Sequence, residues 1–240
     1  MRIFSVLSHL LDYPTVELQK HHDDLVEIIQ NSTLSDQNKN NLVQLCLNVN
    51  TDDLLGRQAE YDELFDRGRS HSLLIFEHIH GESRDRGQAM VDLVNQYQQA
   101  GLMLNKNELP DHLPLYLEFL ATQGEINGPL GLVEIAHVLA LLFCRLEKRD
   151  SDYRFIFAAL IELSGISVDL TDLRKQMQDE VPDYTDKAID AVWEEEQVTF
   201  GATDSDACDT NNKPTSQQSK ADFVPVSWTT NTAQPFNSEQ

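Results

Sequence analysis

Basic residues are scarce in this 240-residue chain, where 18 lysines and arginines stand against 40 aspartates and glutamates, a formal charge of −22. Such a surface repels phosphates along most of its length, which excludes a nucleic-acid partner. It favours solubility and attraction to basic partners. Cysteine is scarce too. Cys46, Cys144 and Cys208 are widely spaced and form no CxxC pair, so neither a disulfide framework nor a zinc knuckle is implied. Cys46 and Cys144 fall on apolar helical faces and read as core thiols in a reducing compartment. Catalytic signatures are missing: there is no Walker A loop, dinucleotide glycine fingerprint, HExxH or GxSxG. His78 and His80, two apart, would sit on different faces of a helix, and no metal site is expected. Long apolar runs are missing as well. The longest, residues 130–143, is broken by Glu134 and His137 and is too short and polar to span a bilayer. Met1-Arg2-Ile3-Phe4 runs straight into an amphipathic pattern with no secretion signal. A cytoplasmic location without membrane insertion is the expectation.

What the chain has in abundance is helical periodicity. Ile3, Val6, Leu7, Leu10 and Leu11 follow the spacing of a buried helical face. Each such side chain contributes roughly 1.5–3 kcal/mol when fully buried. Tyr13-Pro14 ends this helix, because proline disfavours helical geometry in the residue before it. Leu18, Leu25, Ile28 and Ile29 predict a second helix, and Ser35 an N-cap for a third carrying Leu42, Leu45, Cys46 and Val49. Thr51 or Asp52 is expected to cap a fourth through Leu54, Leu55, Tyr61, Leu64 and Phe65. Leu73-Leu74-Ile75-Phe76 reads as a short buried helix ended by Gly81, and residues 84–100 as a long one ended by Gly101. Asp111 is expected to cap the helix carrying Leu113, Tyr116, Leu117 and Leu120, with His112 in its first turn. The glycine-rich stretch 124–131 reads as a loop between helices, and 130–148 as one helix. A further helix from Ser151 or Asp152 ends at Gly165, and weaker ones are expected near 171–178 and 184–196.

No segment alternates with period two, so the fold class is all-α: a single bundle-like domain of several helices over residues 1–196. Residues 197–240 have the composition of a disordered acidic and polar tail. Within it, residues 223–228 form an isolated apolar segment, either a docking segment or an unselected apolar patch.

Three stretches carry what functional signal there is. Tyr61-Asp62-Glu63-Leu64-Phe65-Asp66 is dense in aromatic and acidic residues. Arg84 and Arg86 open a helix, where they would meet an anion or a partner, or form local ion pairs on a solvated face. In Glu108-Leu109-Pro110-Asp111-His112-Leu113-Pro114, two prolines bracket an Asp-His pair. Such a pair is half of a catalytic triad, but no nucleophile motif accompanies it. As a rigid corner between helices it suits the wall of a peptide groove.

This last stretch resembles the ExxDH signature of the redox-enzyme maturation chaperones, the TorD/DmsD/NarJ family. Tyr61, Leu64 and Phe65 match that family's aromatic motif. The order of His80-Gly81-Glu82-Ser83-Arg84-Asp85-Arg86-Gly87, a helix, and the Asp-His corner is similar to the NarJ branch, and the resemblance covers roughly residues 1–200. The resemblance implies an all-helical chaperone, not an enzyme. Its client would be the catalytic (alpha) subunit of respiratory nitrate reductase, alone or with the beta subunit. It would bind that subunit's N-terminal segment, keep it competent for molybdenum cofactor insertion, delay its docking to the membrane, and be absent from the final enzyme. It would hold no cofactor stably, and molybdenum cofactor biosynthesis proteins are further implied partners. Peptide contact would fall to Asp111, His112, Glu108, Tyr61, Leu64 and Phe65, with Arg84 and Arg86 as added contacts. A chaperone of another molybdoenzyme is the alternative. The tryptophan-rich pocket of some members is absent, so the groove is expected to be lined by Leu, Phe and Tyr.

Overall fold

The computed structural model describes residues 1–50, 53–81, 83–104 and 108–195, with side chains to 191. Two sequence expectations lie outside these residues, the caps at Thr51 or Asp52 and the tail 197–240 with its segment 223–228. The elements in chain order are α1 (Arg2–Leu11), α2 (Val16–Lys20), α3 (His22–Gln30), α4 (Asp36–Val49), α5 (Leu54–Tyr61), a π-helical turn (Asp62–Asp66), α6 (Ile75–His80), α7 (Asp85–Gln99), α8 (Leu113–Thr122), α9 (Gly124–Glu134), α10 (Ala136–Lys148), α11 (Arg154–Ser164), α12 (Thr171–Asp179) and α13 (Asp186–Glu195). Among the described residues the only extended pairing is one bridge, Leu74 to His112.

Helix α1 is the axis of the packing. It buries Ile3, Phe4, Val6, Leu7, Leu10 and Leu11 against α8, α3 and α11. Ser8 sits on the same buried face, and its hydroxyl donates to the Pro114 carbonyl at 2.7 Å, which pins α1 to the start of α8. The α-amino group of Met1 donates to the Ala121 carbonyl at the other end of α8. Helices α10 and α11 pack on each other, α9 joins both α8 and α11, and α4 closes on α3 and α11. One continuous apolar core results, with Phe4, Leu7, Leu11, Leu117, Leu139, Ile156, Phe157 and Leu160 fully enclosed.

Caps follow the local sequence where side chains can reach. The Ser35 hydroxyl accepts from Asn38 N–H, Asp53 caps α5 through Gly56 N–H, and Gly165 closes α11 at φ 71°. Three expectations need correction. The helix read through Leu18 and Ile29 is two, α2 and α3, separated at His21 (φ −97°, ψ 14°). Residues 130–148 are not one helix: α9 and α10 meet at Ile135 with a bend of 67°. The stretch 124–131 is not a loop but the body of α9. There the glycines serve close helix packing. A Cβ at Gly128 would lie 2.7 Å from Phe4 Cε2 and 3.0 Å from the Leu120 carbonyl, so only glycine lets α9 approach α1 and α8.

Candidate functional site

The Asp-His corner is built by pairing with residues 73–75, 36 to 40 residues earlier. Ile75 N–H donates to the Asp111 carbonyl at 2.9 Å, and Leu113 N–H to the Leu73 carbonyl at 2.8 Å. Leu74 is therefore extended, and the expected helix there begins only at Ile75. This pairing also corrects the role of Asp111. Its carboxylate does not cap α8, whose N-cap is His112 without a side-chain bond. Instead Asp111 Oδ2 accepts from Phe76 N–H at 3.0 Å, in the first turn of α6. Leu74, the N-cap of α6 by position, has no side-chain acceptor, and Asp111 supplies one from across the bridge.

Asp111 has no solvent exposure, and its Oδ1 has no hydrogen-bond partner among the described groups. Burial pushes its carboxyl above the usual carboxylate range; the Phe76 amide and the Arg86 guanidinium pull the other way without cancelling it. Arg86 Nη2 stands 3.9 Å from Asp111 Oδ2, and its Nη1 3.5 Å from Glu77 Oε1. Arg86 is thus half-buried in a local triad with Glu77 and Asp111. Arg84, by contrast, is exposed at the N-cap of α7 with no ion pair among the described residues.

His112 faces a different neighbour. The Asp66 carboxyl, though exposed, is raised by partial desolvation and by the charge of Asp62 and lowered by His112, which brings the end of the Tyr61 motif within electrostatic reach of the Asp-His corner. The apolar members of that motif point inward. Tyr61, Leu64 and Phe65 are all buried. The Tyr61 hydroxyl donates to the Leu11 carbonyl at 3.1 Å, and its ring meets Tyr13, Phe65 and Tyr153 at centroid distances of 5.5, 4.9 and 6.1 Å. Only Asp62, Glu63 and Asp66 of the motif are exposed. Glu108 is exposed before the corner.

The sequence reading missed Tyr97 as a site residue. Its hydroxyl donates to the Pro110 carbonyl at 2.7 Å, and its ring packs on Phe119 at 4.8 Å. Its only local signal was an inward position on the α7 face. Tyr97 ties the corner to a groove of about 420 Å³ lined by Ser5, His9, Tyr97, Leu102, Met103, Leu104, Leu115, Glu118, Phe119, Ala121 and Thr122. Met103 projects into solvent at 94% exposure, and Leu109 beyond it is half exposed. A second cleft, of about 470 Å³ between the start of α1 and the end of α3, is lined by Met1, Ile3 and Ile28 together with Asp24, Glu27, Asn31 and Glu125, and has no aromatic or leucine side chain in its wall. The first matches the expected lining of Leu, Phe and Tyr.

No three His, Cys, Asp or Glu side chains among the described residues are arranged to hold a metal ion. His78 Nε2 lies 2.8 Å from the Ser72 carbonyl. No single described helix is long and apolar enough to cross a membrane.

Fold and site define an all-helical protein whose motif residues cap helices and fill the core, beside an apolar groove. Residues 31–159 match the model of the nitrate reductase delta subunit family. The chain is 50% identical over 198 residues to the nitrate reductase molybdenum cofactor assembly chaperone NarJ of Escherichia coli K12, covering 82% of this chain and 84% of the relative. It is 43% identical to the probable chaperone NarW of the same strain, over 88% and 89% of the two chains. To the probable NarJ of Bacillus subtilis 168 it is 33% identical, over 69% and 90%. The chain belongs to this family of molybdenum cofactor assembly chaperones.

Proposed function

We propose that this chain is a dedicated cytoplasmic chaperone of respiratory nitrate reductase. It binds the catalytic subunit through that subunit's N-terminal segment, holds it open for molybdenum cofactor insertion, delays its docking to the membrane, and leaves before the enzyme is finished. Residues 1–196 are the working body in this reading. The kinship with NarJ and NarW supports the client.

The observation that carries the binding mode is the groove beside the corner. Leu102, Leu104, Leu115 and Phe119 offer partly buried apolar faces, and Met103 adds a flexible thioether that adapts to an incoming side chain. The groove accepts one apolar face of an amphipathic helix. Glu118 at its wall and the −22 charge of the chain favour a basic segment and speed its encounter. Glu108, exposed ahead of the Asp-His corner, adds to the negative charge of that side of the chain. Asp111 and His112 act by holding the connection between α7 and α8 and the start of α8 in place, and the buried Tyr61 and Phe65 act from further back, by packing against the end of α1 and Tyr153. Release follows when the completed subunit no longer presents the segment, since a ligand shifts an equilibrium only by its differential affinity.

The test is calorimetric titration with a peptide copying the N-terminus of the nitrate reductase catalytic subunit. Phe119→Asp should weaken binding by about tenfold or more, about 1.4 kcal/mol, with the helical content unchanged. Glu108→Lys should slow association and flatten its salt dependence. Unaltered affinity in Phe119→Asp would place the peptide elsewhere.

A further inference from the structure

The segment after α12 is held to the body by polar groups. Glu180 forms a two-pronged pair with Arg145, through Nε at 3.1 Å and through Nη2, while Arg145 Nη1 donates to the Ser70 carbonyl at 2.7 Å. Lys148 Nζ donates to the Met177 carbonyl at 2.5 Å and the Glu180 carbonyl at 3.1 Å. The Arg149 guanidinium lies 4.2 Å over the Tyr184 ring. Asp183 accepts from Arg69 N–H and Ser70 N–H, both at 2.7 Å, and from the Ser70 hydroxyl at 2.5 Å.

The loop that receives Asp183 is shaped for an anion. Gly68 at φ 87° turns the next two amides toward one point, a backbone nest of the kind that cradles phosphates. A Cβ at Gly68 would stand 2.7 Å from Asp183 Oδ1, so the approach requires glycine. Burial alone would raise the Asp183 carboxyl; the Ser70 hydroxyl and the Ser70 and Arg69 amides outweigh it and hold the group below its usual range. Beneath lies His71, at 3% exposure. Its Nδ1 meets the Ser70 hydroxyl at 2.9 Å, and its Nε2 has no hydrogen-bond partner among the described residues. His71 lines a small cavity with Ser70, Arg145, Lys148, Arg149, Glu180 and Tyr184.

This concentration of donors is out of keeping with a chain of charge −22. It takes two separate carboxylates, Glu180 and Asp183, to use the Arg145 fork and the nest. A phosphate or pyrophosphate carries that many acceptor oxygens in one group and matches both the guanidinium fork and the amide pair. We infer that the surface formed by residues 68–71 with Arg145, Lys148 and Arg149 is a binding site for a phosphate-bearing anion, and that residues 180–184 close it with Glu180 and Asp183 standing in for the ligand. Strap and ligand therefore compete for one set of donors.

The experiment titrates inorganic pyrophosphate into the full chain at constant ionic strength. The pair Glu180→Gln with Asp183→Asn should bind pyrophosphate about tenfold or more tightly than the unaltered chain, and adding Arg145→Gln should abolish the gain. Hydrogen exchange on the unaltered chain is the second arm. Saturating pyrophosphate should speed exchange in residues 180–184 while the Arg69 and Ser70 amides stay protected, and this arm decides if the variants do not fold. Equal affinity in the opened and unaltered chains, a gain that survives Arg145→Gln, or unchanged exchange in 180–184 would overturn the inference.

Discussion

Asp111 is fully enclosed, carries one satisfied oxygen and one with no partner among the described residues, and caps a helix to which it is not covalently adjacent. Two substitutions separate its hydrogen bond from its charge. Asp111→Ala leaves Phe76 N–H without an acceptor and Arg86 with only Glu77. Loss of a cap costs about 1 kcal/mol and an orphaned buried donor a further 1–3 kcal/mol, so a total of about 2–4 kcal/mol is expected. Asp111→Asn keeps the acceptor and removes the charge. Because burial raises the carboxyl, the folded protein disfavours its charged form, and Asn should fall within about 1 kcal/mol of the parent at neutral pH. The pH dependence has a definite sign. A raised folded-state carboxyl binds its proton more tightly than the unfolded chain does. The parent should therefore gain stability relative to Asp111→Asn as pH falls from the raised folded value towards the unfolded one near 3.9, and the difference should level off below it. Urea unfolding of the three proteins between pH 7 and pH 4 measures this. If Asn costs as much as Ala, or if the parent loses ground to Asn on acidification, Arg86 outweighs burial and the reasoning fails.

The other expectations are smaller in scope. Gly128→Ala should destabilise by about 1–3 kcal/mol in chemical denaturation, because the new methyl meets the Phe4 ring and the Leu120 carbonyl. Tyr61→Phe should cost about 1 kcal/mol through the lost bond to the Leu11 carbonyl, with peptide affinity unchanged. The His71 ring, held down to about 4 by burial and by Arg149 and Arg145, should titrate by nuclear magnetic resonance near that value. Its contribution to stability is present above the unfolded value near 6.5 and declines as pH falls towards about 4.

Helix periodicity was legible wherever one face is apolar, as in α1, α4 and α11, because burial of that face decides the conformation. So were the Ser35 cap and the Gly165 stop, which act within a turn of themselves. What stayed hidden depends on distant partners. Asp111 has every local mark of a cap for α8, yet the bridge to Leu74 turns its carboxylate to α6, which no window of adjacent residues contains. Gly128 and Gly131 read as loop glycines because their role, contact with α1 and α8, exists only once those helices are packed. The Tyr61 motif was legible as a motif, but whether its rings meet solvent or one another depends on Tyr13 and Tyr153. Asp183 carried no signal at all, since its partners lie more than a hundred residues earlier.

The central claim is that this protein prepares nitrate reductase to receive its molybdenum cofactor. The most direct measurement is the molybdenum content of the purified catalytic subunit from cells with and without this chain, alongside a chain carrying Phe119→Asp. The account predicts full loading with the intact chaperone, a subunit largely without molybdenum when it is missing, and an intermediate or low content with the groove variant. Equal molybdenum content with and without the protein would contradict it.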